Sequence, residues 1–403
     1  MHLINIQQFI KDYITKREQS LFEADIQKNH SLLTAKIEGK SVLVIGGAGT
    51  IGSSYIRAIL RFKPGKLVVV DTNENGLTEL TRDLRSTMGQ FVPEDYTTYP
   101  MNFGDPVFTK MFHAHKPFHI VANFAAHKHV RSEKDQFSIE AMIDINVIRA
   151  KVFLDLLLQN KPEHFFCVST DKAANPVNVM GASKKLMEEV IMAYSQELHI
   201  TTARFANVAF SNGSLLDGYI QRIFKSQPIS CPSDVKRFFV SPEESGQICM
   251  LASLLGDTGD IYFPKLNPEE MVNFKDITLD FFKAMGKELH ECSSEEEAKL
   301  KASQLTDSDP YPSFFFPSNT SGEKLYEEFY TDEDALDMKF HDSLGVIKNA
   351  KRISLQEVEA CLADIRVELA KANYTKEDIV NLIKIYIPHF QHIETGISLD
   401  SKM

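Results

Sequence analysis

The chain has 403 residues, enough for a large buried core in two lobes with extensions, and a formal net charge of −11. That charge argues against a broad nucleic-acid surface, which needs clustered lysine and arginine. No apolar run approaches ~18 residues, so no membrane span is expected. MHLINIQQFIKDYITKREQ meets charge too early for a secretory leader, so a cytoplasmic protein is expected.

In chain order, residues 3–38 read as helical, with Ile6, Phe9, Ile10, Tyr13 and Ile14 at helical spacing. This face is expected to pack on the rest of the chain or on a second subunit. SVLVI then reads as a buried parallel strand. The turn GGAGTIG follows, with Gly46, Gly47, Gly49 and Gly52, and SSYIRAIL opens a helix. Glycines in that place allow a tight turn and close approach to a pyrophosphate, and the helix N-terminus offers it free N–H groups. A second strand, KLVVV, ends in Asp71, about 20 residues beyond the glycines. An acid there binds the adenosine ribose 2′-hydroxyl and repels a 2′-phosphate, which favours NAD over NADP.

A helix (NENGLTELTRDLRS), a strand near Tyr99 and a turn at Phe103-Gly104-Asp105 come next. HIVANFAA (119–126) is a fourth strand, 138–159 a long helix, HFFCVS a fifth strand and ITTARFANV (200–208) a sixth. Strands alternating with helices predict an α/β fold, a Rossmann-type doubly wound parallel sheet. The pattern predicts a helical extension at 1–38, a dinucleotide-binding domain at 39–208 joined again by 237–265, and a smaller mixed substrate lobe at 209–236 and 266–335. It predicts a C-terminal helical extension at 336–403. The charged run 293–313 reads as a solvated insertion. Ser354 with Glu357, and Thr375 with Asp378, mark two helix starts by capping-box spacing, and Pro388 ends the second helix.

The richest stretch is STDKAANPVNVMGASKKLME. An acid and a base, Asp171 and Lys172, sit side by side where the fifth strand ends, after Thr170. Met180 and Lys184 share a helix face four residues apart. Cys167, Cys231, Cys249, Cys292 and Cys361 are scattered without C-x-x-C, which suits a reducing compartment and offers no thiolate metal site. The pairs His113/His115 and His127/His129 bring no third and fourth ligand with them, so no metal is expected.

The motifs GGAGTIG, VVVDTNENGL, FAAHKHV, STDKAANPVNVMGASKKLME, ARFANVAFSNGS, KRFFVSPEES and SGEKLYEE resemble the extended short-chain dehydrogenase/reductases. Within these the chain is similar to the nucleotide-sugar dehydratases of bacterial polysaccharide biosynthesis, typically UDP-N-acetylglucosamine 4,6-dehydratases, over about residues 40–330. The resemblance implies a tightly held NAD and a UDP-sugar partner, and a homo-oligomer is expected. It places the cofactor on Gly46, Gly49, Thr50, Ile51, Gly52, Asp71 and Asn73, and on Asp105, Ala125, Ala126 and Lys184. It places the substrate near Lys128, His129, Asn207, Arg237 and Lys324; Arg204 either joins them or closes its strand.

The chemistry so implied is oxidation at sugar C4, loss of water across C5 and C6, and reduction at C6. Asp171 would protonate the leaving hydroxyl, and Lys172, its pKa lowered by burial and cationic neighbours such as Lys184, would remove the C5 proton. Thr170 would hydrogen-bond the C4 oxygen. The chain departs from the usual pattern at Met180, where a tyrosine phenol would take the C4 hydroxyl proton. Methionine has no such capacity, so Asp171 or a water must serve. It departs again before Gly322-Glu323-Lys324, where relatives carry an arginine and this chain has Asn319, Thr320 and Ser321. Two other readings stay open: a UDP-sugar 4-epimerase, and a non-catalytic NAD-binding scaffold.

Overall fold

The computed structural model describes residues 4–319, 321–322, 326 and 328–396. The main sheet contains β1 (Ser41–Ile45), β2 (Lys66–Asp71), β3 (Asp95–Pro100), β4 (Ile120–Asn123), β5 (His164–Val168) and β6 (Ile200–Ala203). It is completed by β7 (Ile261–Pro264), β8 (Leu336–Asp337) and β9 (Leu344–Ile347). Their order is β8-β9-β7-β6-β5-β4-β1-β2-β3. The pairs from β3 to β7 are parallel, and β9 pairs antiparallel to both β7 and β8. Every residue of β1, β4, β5 and β6 is buried, because helices cover both faces.

Strand order reverses between β1 and β4, where Val44 pairs with Val69 on one side and Ala122 on the other. In doubly wound sheets the ligand crevice opens at the carboxyl ends of the strands at such a reversal. The turn after β1 and the segment Phe124–Ala126 after β4 stand there.

A second core lies under the smaller lobe, where Phe9, Ile10 and Ile14 meet Phe210, Tyr219, Phe281 and Tyr311. The apolar N-terminal face therefore packs on this chain. The lobe's own sheet is parallel, with Tyr311–Phe316 between Leu289–Glu291 and Ile229–Pro232.

The structure departs from the sequence expectation at several places. The 3–38 helix is broken: Ile6–Phe9 runs into a π-helical turn, Ile10–Thr15, which ends at left-handed Lys16, and Glu23–Lys28 and His30–Ile37 follow. The 138–159 helix carries a π-helical segment, Asp144–Ile148, between Gln136–Ile143 and Arg149–Leu158. The sixth strand stops at Ala203, with Arg204 N making its last bond to Tyr262 O at 2.8 Å; Asn207–Val208 instead pairs with Phe239–Val240. The 293–313 run is only partly solvated, since Ala298, Ala302, Tyr311 and Ser313 are buried. Residues 336–347 are not helical but supply β8 and β9, strands too short to show a period. The helices Leu355–Leu369 and Lys376–Tyr386 both begin with the expected capping boxes.

Candidate active site

The phosphate-loop geometry follows from two close approaches. Gly46 has φ +76°, and a Cβ there would meet the Ala125 amide nitrogen at 2.6 Å. A Cβ on Gly52 would meet the Gly46 carbonyl oxygen at 2.2 Å. No side chain caps the helix Thr50–Leu60, so its first-turn N–H groups are left for an anion. The Asp71 carboxylate is fixed from below, accepting from Ala48 N at 3.0 Å and Asn73 N at 2.9 Å. Gly46, Gly49, Thr50, Ile51, Gly52, Asp71, Ala125 and Ala126 line one cleft. Thr72, Met101, Asn102 and Phe103 line it too, and the motif did not single them out. The set fits a dinucleotide: backbone donors at the helix end, a fixed acid at the end of β2, and a wall too close for any side chain.

Two expected cofactor contacts fall elsewhere. Asn73 caps the helix Glu74–Ser86 by accepting from Gly76 N at 2.9 Å. Asp105 precedes the helix Pro106–His115 and faces Arg149 at 3.5 Å. Neither lines the cleft. Both positions carry helix-start signals, N-x-x-G and D-P, that compete with a ligand role.

Beyond Ile51, Phe124, Ala126 and Lys128 the cleft continues into a second chamber lined by Thr170, Asp171, Lys172, Met180, Lys184, Lys128, His129 and Asn207. Asp171 is buried, and its Oδ1 accepts from Thr170 Oγ1 at 2.7 Å, Lys172 N at 2.9 Å and Lys172 Nζ at 3.1 Å. Acid, base and hydroxyl thus share one oxygen. Met180 is buried on the chamber wall. The Lys184 ammonium donates to the Val168 carbonyl at 2.6 Å, and burial holds its pKa below the usual lysine range. Burial likewise lowers Lys128, and it lowers His129 with help from the charges of Lys128 and Arg131.

Remote segments hold this loop. Glu133 accepts from Val179 N at 2.6 Å, at the start of the helix Val179–Ala193, and is paired with His392 at 2.6 Å and Lys376 at 3.2 Å. Burial pushes Glu133 upward, but the bonds from His392 and Val179 outweigh it and leave the carboxyl below its usual range. Asn178 caps that helix on Gly181 N and donates to Gly322 O at 2.8 Å. Gln391 and Ile393 donate to the carbonyls of Pro176 and Val177 at 3.2 and 2.9 Å, and Gly322 donates to Ile393 O at 3.0 Å. The C-terminal segment therefore straps the Thr170–Val179 loop to Gly322. Asn146, from the π-helical segment, holds both the N–H and C=O of His127 and reaches Ser183.

A third chamber, sharing Val130, Arg131, Lys172, Asn207 and Phe274 with the second, is lined by Arg131, Arg222 and Arg237. Arg237 was expected there; Arg131 and Arg222 carry no motif and meet it only through the fold. Arg204 is not among them. It grips Glu188 with Nε at 2.8 Å and Nη2 at 2.6 Å and donates to Phe329 O, closing its strand. Ser169 Oγ adds a bond of 2.6 Å to Glu188, so this buried pair anchors the loop that begins at Thr170. Lys324, with Glu323, lies outside the described residues. His113 and His115 sit on a helix, where neighbours two apart diverge, and His115 is bonded to Tyr99.

Residues 42–349 match the family described as polysaccharide biosynthesis protein. The chain belongs to that family. It is 24% identical over 372 residues to the capsular polysaccharide biosynthesis protein CapD of Staphylococcus aureus, covering 91% of this chain and 56% of that protein. It is 25% identical over 244 residues to a UDP-N-acetylglucosamine 4,6-dehydratase (inverting) of Campylobacter jejuni, covering 58% of this chain and 70% of that protein. The chain spans about half the length of the first curated relatives it matches. The solved structure of MoeE5 in complex with UDP-glucose and NAD shares the fold, with a TM-score of 0.51 and 15% identity over 73% of this chain and 90% of that one. No described helix is long and apolar enough to cross a membrane.

Proposed function

We propose that this family member dehydrates a UDP-N-acetylhexosamine, UDP-N-acetylglucosamine in the first instance, to its 4-keto-6-deoxy form in the cytoplasm. The observation that carries the reading is the Thr170–Asp171–Lys172 cluster, buried in a cleft that runs from the glycine turn to the arginine chamber. NAD would lie on Gly46–Gly52 and Asp71, and when bound it supplies the reversible acceptor for the C4 hydrogen. The relatives named for UDP-N-acetylglucosamine dehydration and the neighbour solved with UDP-glucose and NAD support the substrate and cofactor classes.

Thr170 and Asp171 would provide a proton path without a tyrosine at position 180. The C4 hydroxyl hands its proton to Thr170 Oγ1 as Thr170 passes its own to Asp171, along the 2.7 Å bond already present. Asp171 then carries the proton that the C6 hydroxyl needs to leave as water. Lys172, once it has given up its own proton, would remove the C5 proton made acidic by the C4 ketone and later return it to C5. One proton crosses from C4 to the departing water, one leaves and rejoins C5, and both groups end as they began. Lys172 Nζ lies 3.1 Å from Asp171 Oδ1, so the carboxylate left when the C6 hydroxyl departs would stabilise Lys172 while it carries the C5 proton. The arginine chamber offers planar donors for a diphosphate.

Incubation of the full chain with UDP-N-acetylglucosamine tests the reading. A 4-keto-6-deoxy product in the NMR spectrum supports it, UDP-N-acetylgalactosamine replaces it with epimerisation, and tight binding without turnover replaces it with a scaffold.

A further inference from the structure

In the substrate lobe, away from the cleft, three side chains of different chemistry converge. His290 Nε2 lies 3.7 Å from Glu297 Oε1, and the Cys292 thiol completes a group whose donor atoms all lie within 4.8 Å of one another. None of the three lines the chambers described above. We propose that His290, Cys292 and Glu297 bind one divalent transition-metal ion of the zinc class.

The local sequence builds the group. Leu289–Glu291 is an edge strand, and Cys292 N continues its ladder by donating to Ser313 O at 2.7 Å. Positions 290 and 292 therefore point to one face. Ser294 caps the helix Glu295–Ser303 and places Glu297 in its first turn, back over the strand end. Ser293 fixes that carboxylate, donating to Oε2 from its N–H at 2.8 Å and its Oγ at 2.7 Å, so that Oε1 is the oxygen turned to His290. Such outer hydrogen bonds are what orient a ligating carboxylate.

The spacing and the donor set agree with zinc. Ligands at ~2.0–2.3 Å in tetrahedral array stand about 3.5 Å apart, so the side chains need to close by between a few tenths of an ångström and about 1.3 Å. Nitrogen, thiolate and carboxylate together select a borderline ion over magnesium or calcium, which prefer oxygen alone. Three protein ligands leave a fourth position for water, and the side on which His290 is 43% and Glu297 34% exposed admits both ion and solvent. The Cys292 thiol gives up its proton to solvent as the metal–sulfur bond forms. Lys301, 3.7 Å from Glu297 Oε1 and half-exposed, is the competing cation and swings out as the ion enters. Bound metal would clip the edge strand to the helix and stabilise the lobe by mass action.

Cobalt titration of the metal-free full chain tests the site. One equivalent of Co2+ should give a thiolate-to-metal charge-transfer band with tetrahedral d–d absorption. Cys292→Ser should abolish that band, Glu297→Gln should weaken cobalt binding by more than about tenfold, and Lys301→Ala should tighten it. Absence of the band in the parent chain, or its survival in Cys292→Ser, overturns the proposal. Zn2+ should also raise the melting temperature of the unmodified chain where Mg2+ does not. This readout needs no variant to fold, and no rise with Zn2+ overturns the proposal equally.

Discussion

Two loops face each other across the cleft, and they are held in place by different means. The turn from Gly46 to Gly52 is fixed by its neighbours: the Gly46 carbonyl against Gly52, the Ala125 backbone against Gly46, and the Asp71 carboxylate on Ala48 N. The loop from Thr170 to Val179 is fixed from afar, by Glu133, Gly322 and the 391–393 strap. Backbone contacts at short range tolerate almost no side chain but ignore distant change. The side-chain network is the reverse. Substitutions far from the chemistry should therefore touch catalysis before they touch cofactor binding.

The largest effect separates the two loops outright. Lys172→Ala should cut turnover by about 10²–10⁴-fold while leaving NAD affinity unchanged, as measured by steady-state kinetics and cofactor titration. A loss of NAD binding would show that the loops are not independent. Next, Glu188→Gln leaves Arg204 buried beside a neutral amide, and the urea midpoint should report a loss of about 3–5 kcal/mol. A smaller effect is expected at the strap: Glu133→Gln should lower kcat about tenfold, roughly 1.4 kcal/mol, with NAD affinity again unchanged. Equal losses in both would erase the contrast.

The smallest effect is a pH response. Hydrogen bonds from Lys376 and Ser321 hold Glu394 down to about 2, and Glu133 is also depressed. A depressed carboxyl contributes stability that is complete above its unfolded value, near 4.5, and is lost as pH falls through its folded value. The strap should thus loosen between about pH 4.5 and 2. Hydrogen exchange at Gln391 and Ile393, corrected for intrinsic rates, should show it ahead of exchange at Gly46.

What was legible in the chain follows the same division. The glycine turn, Asp71, the Asp171–Lys172 pair and the capping boxes at Ser354 and Thr375 are patterns of a few residues whose partners lie close in sequence. Glu133 and His392 are 259 residues apart, and nothing local announces either. Arg131 and Arg222 reach one chamber only because the sheet brings their elements together. Asn73 shows a competing role, since its side chain caps a helix on Gly76 N where a ribose contact would ask for the same short polar group. β8 and β9 were missed because runs of two and four residues have no measurable period.

The π-helical segment Asp144–Ile148 has a consequence for how this protein can vary in length. Upstream of it, Phe137 and Glu140 meet Tyr374 of the C-terminal region; downstream, Phe153 meets Phe165 of β5. The wider turn sets the rotational phase between these halves while holding Asn146 on His127. Deleting one residue there would restore ordinary helix with the downstream face nearly in phase, because the wider turn absorbs one extra residue, but it would take Asn146 off His127. A one-residue deletion here should therefore spare the packing on either side and be felt first at the His127 backbone that Asn146 holds.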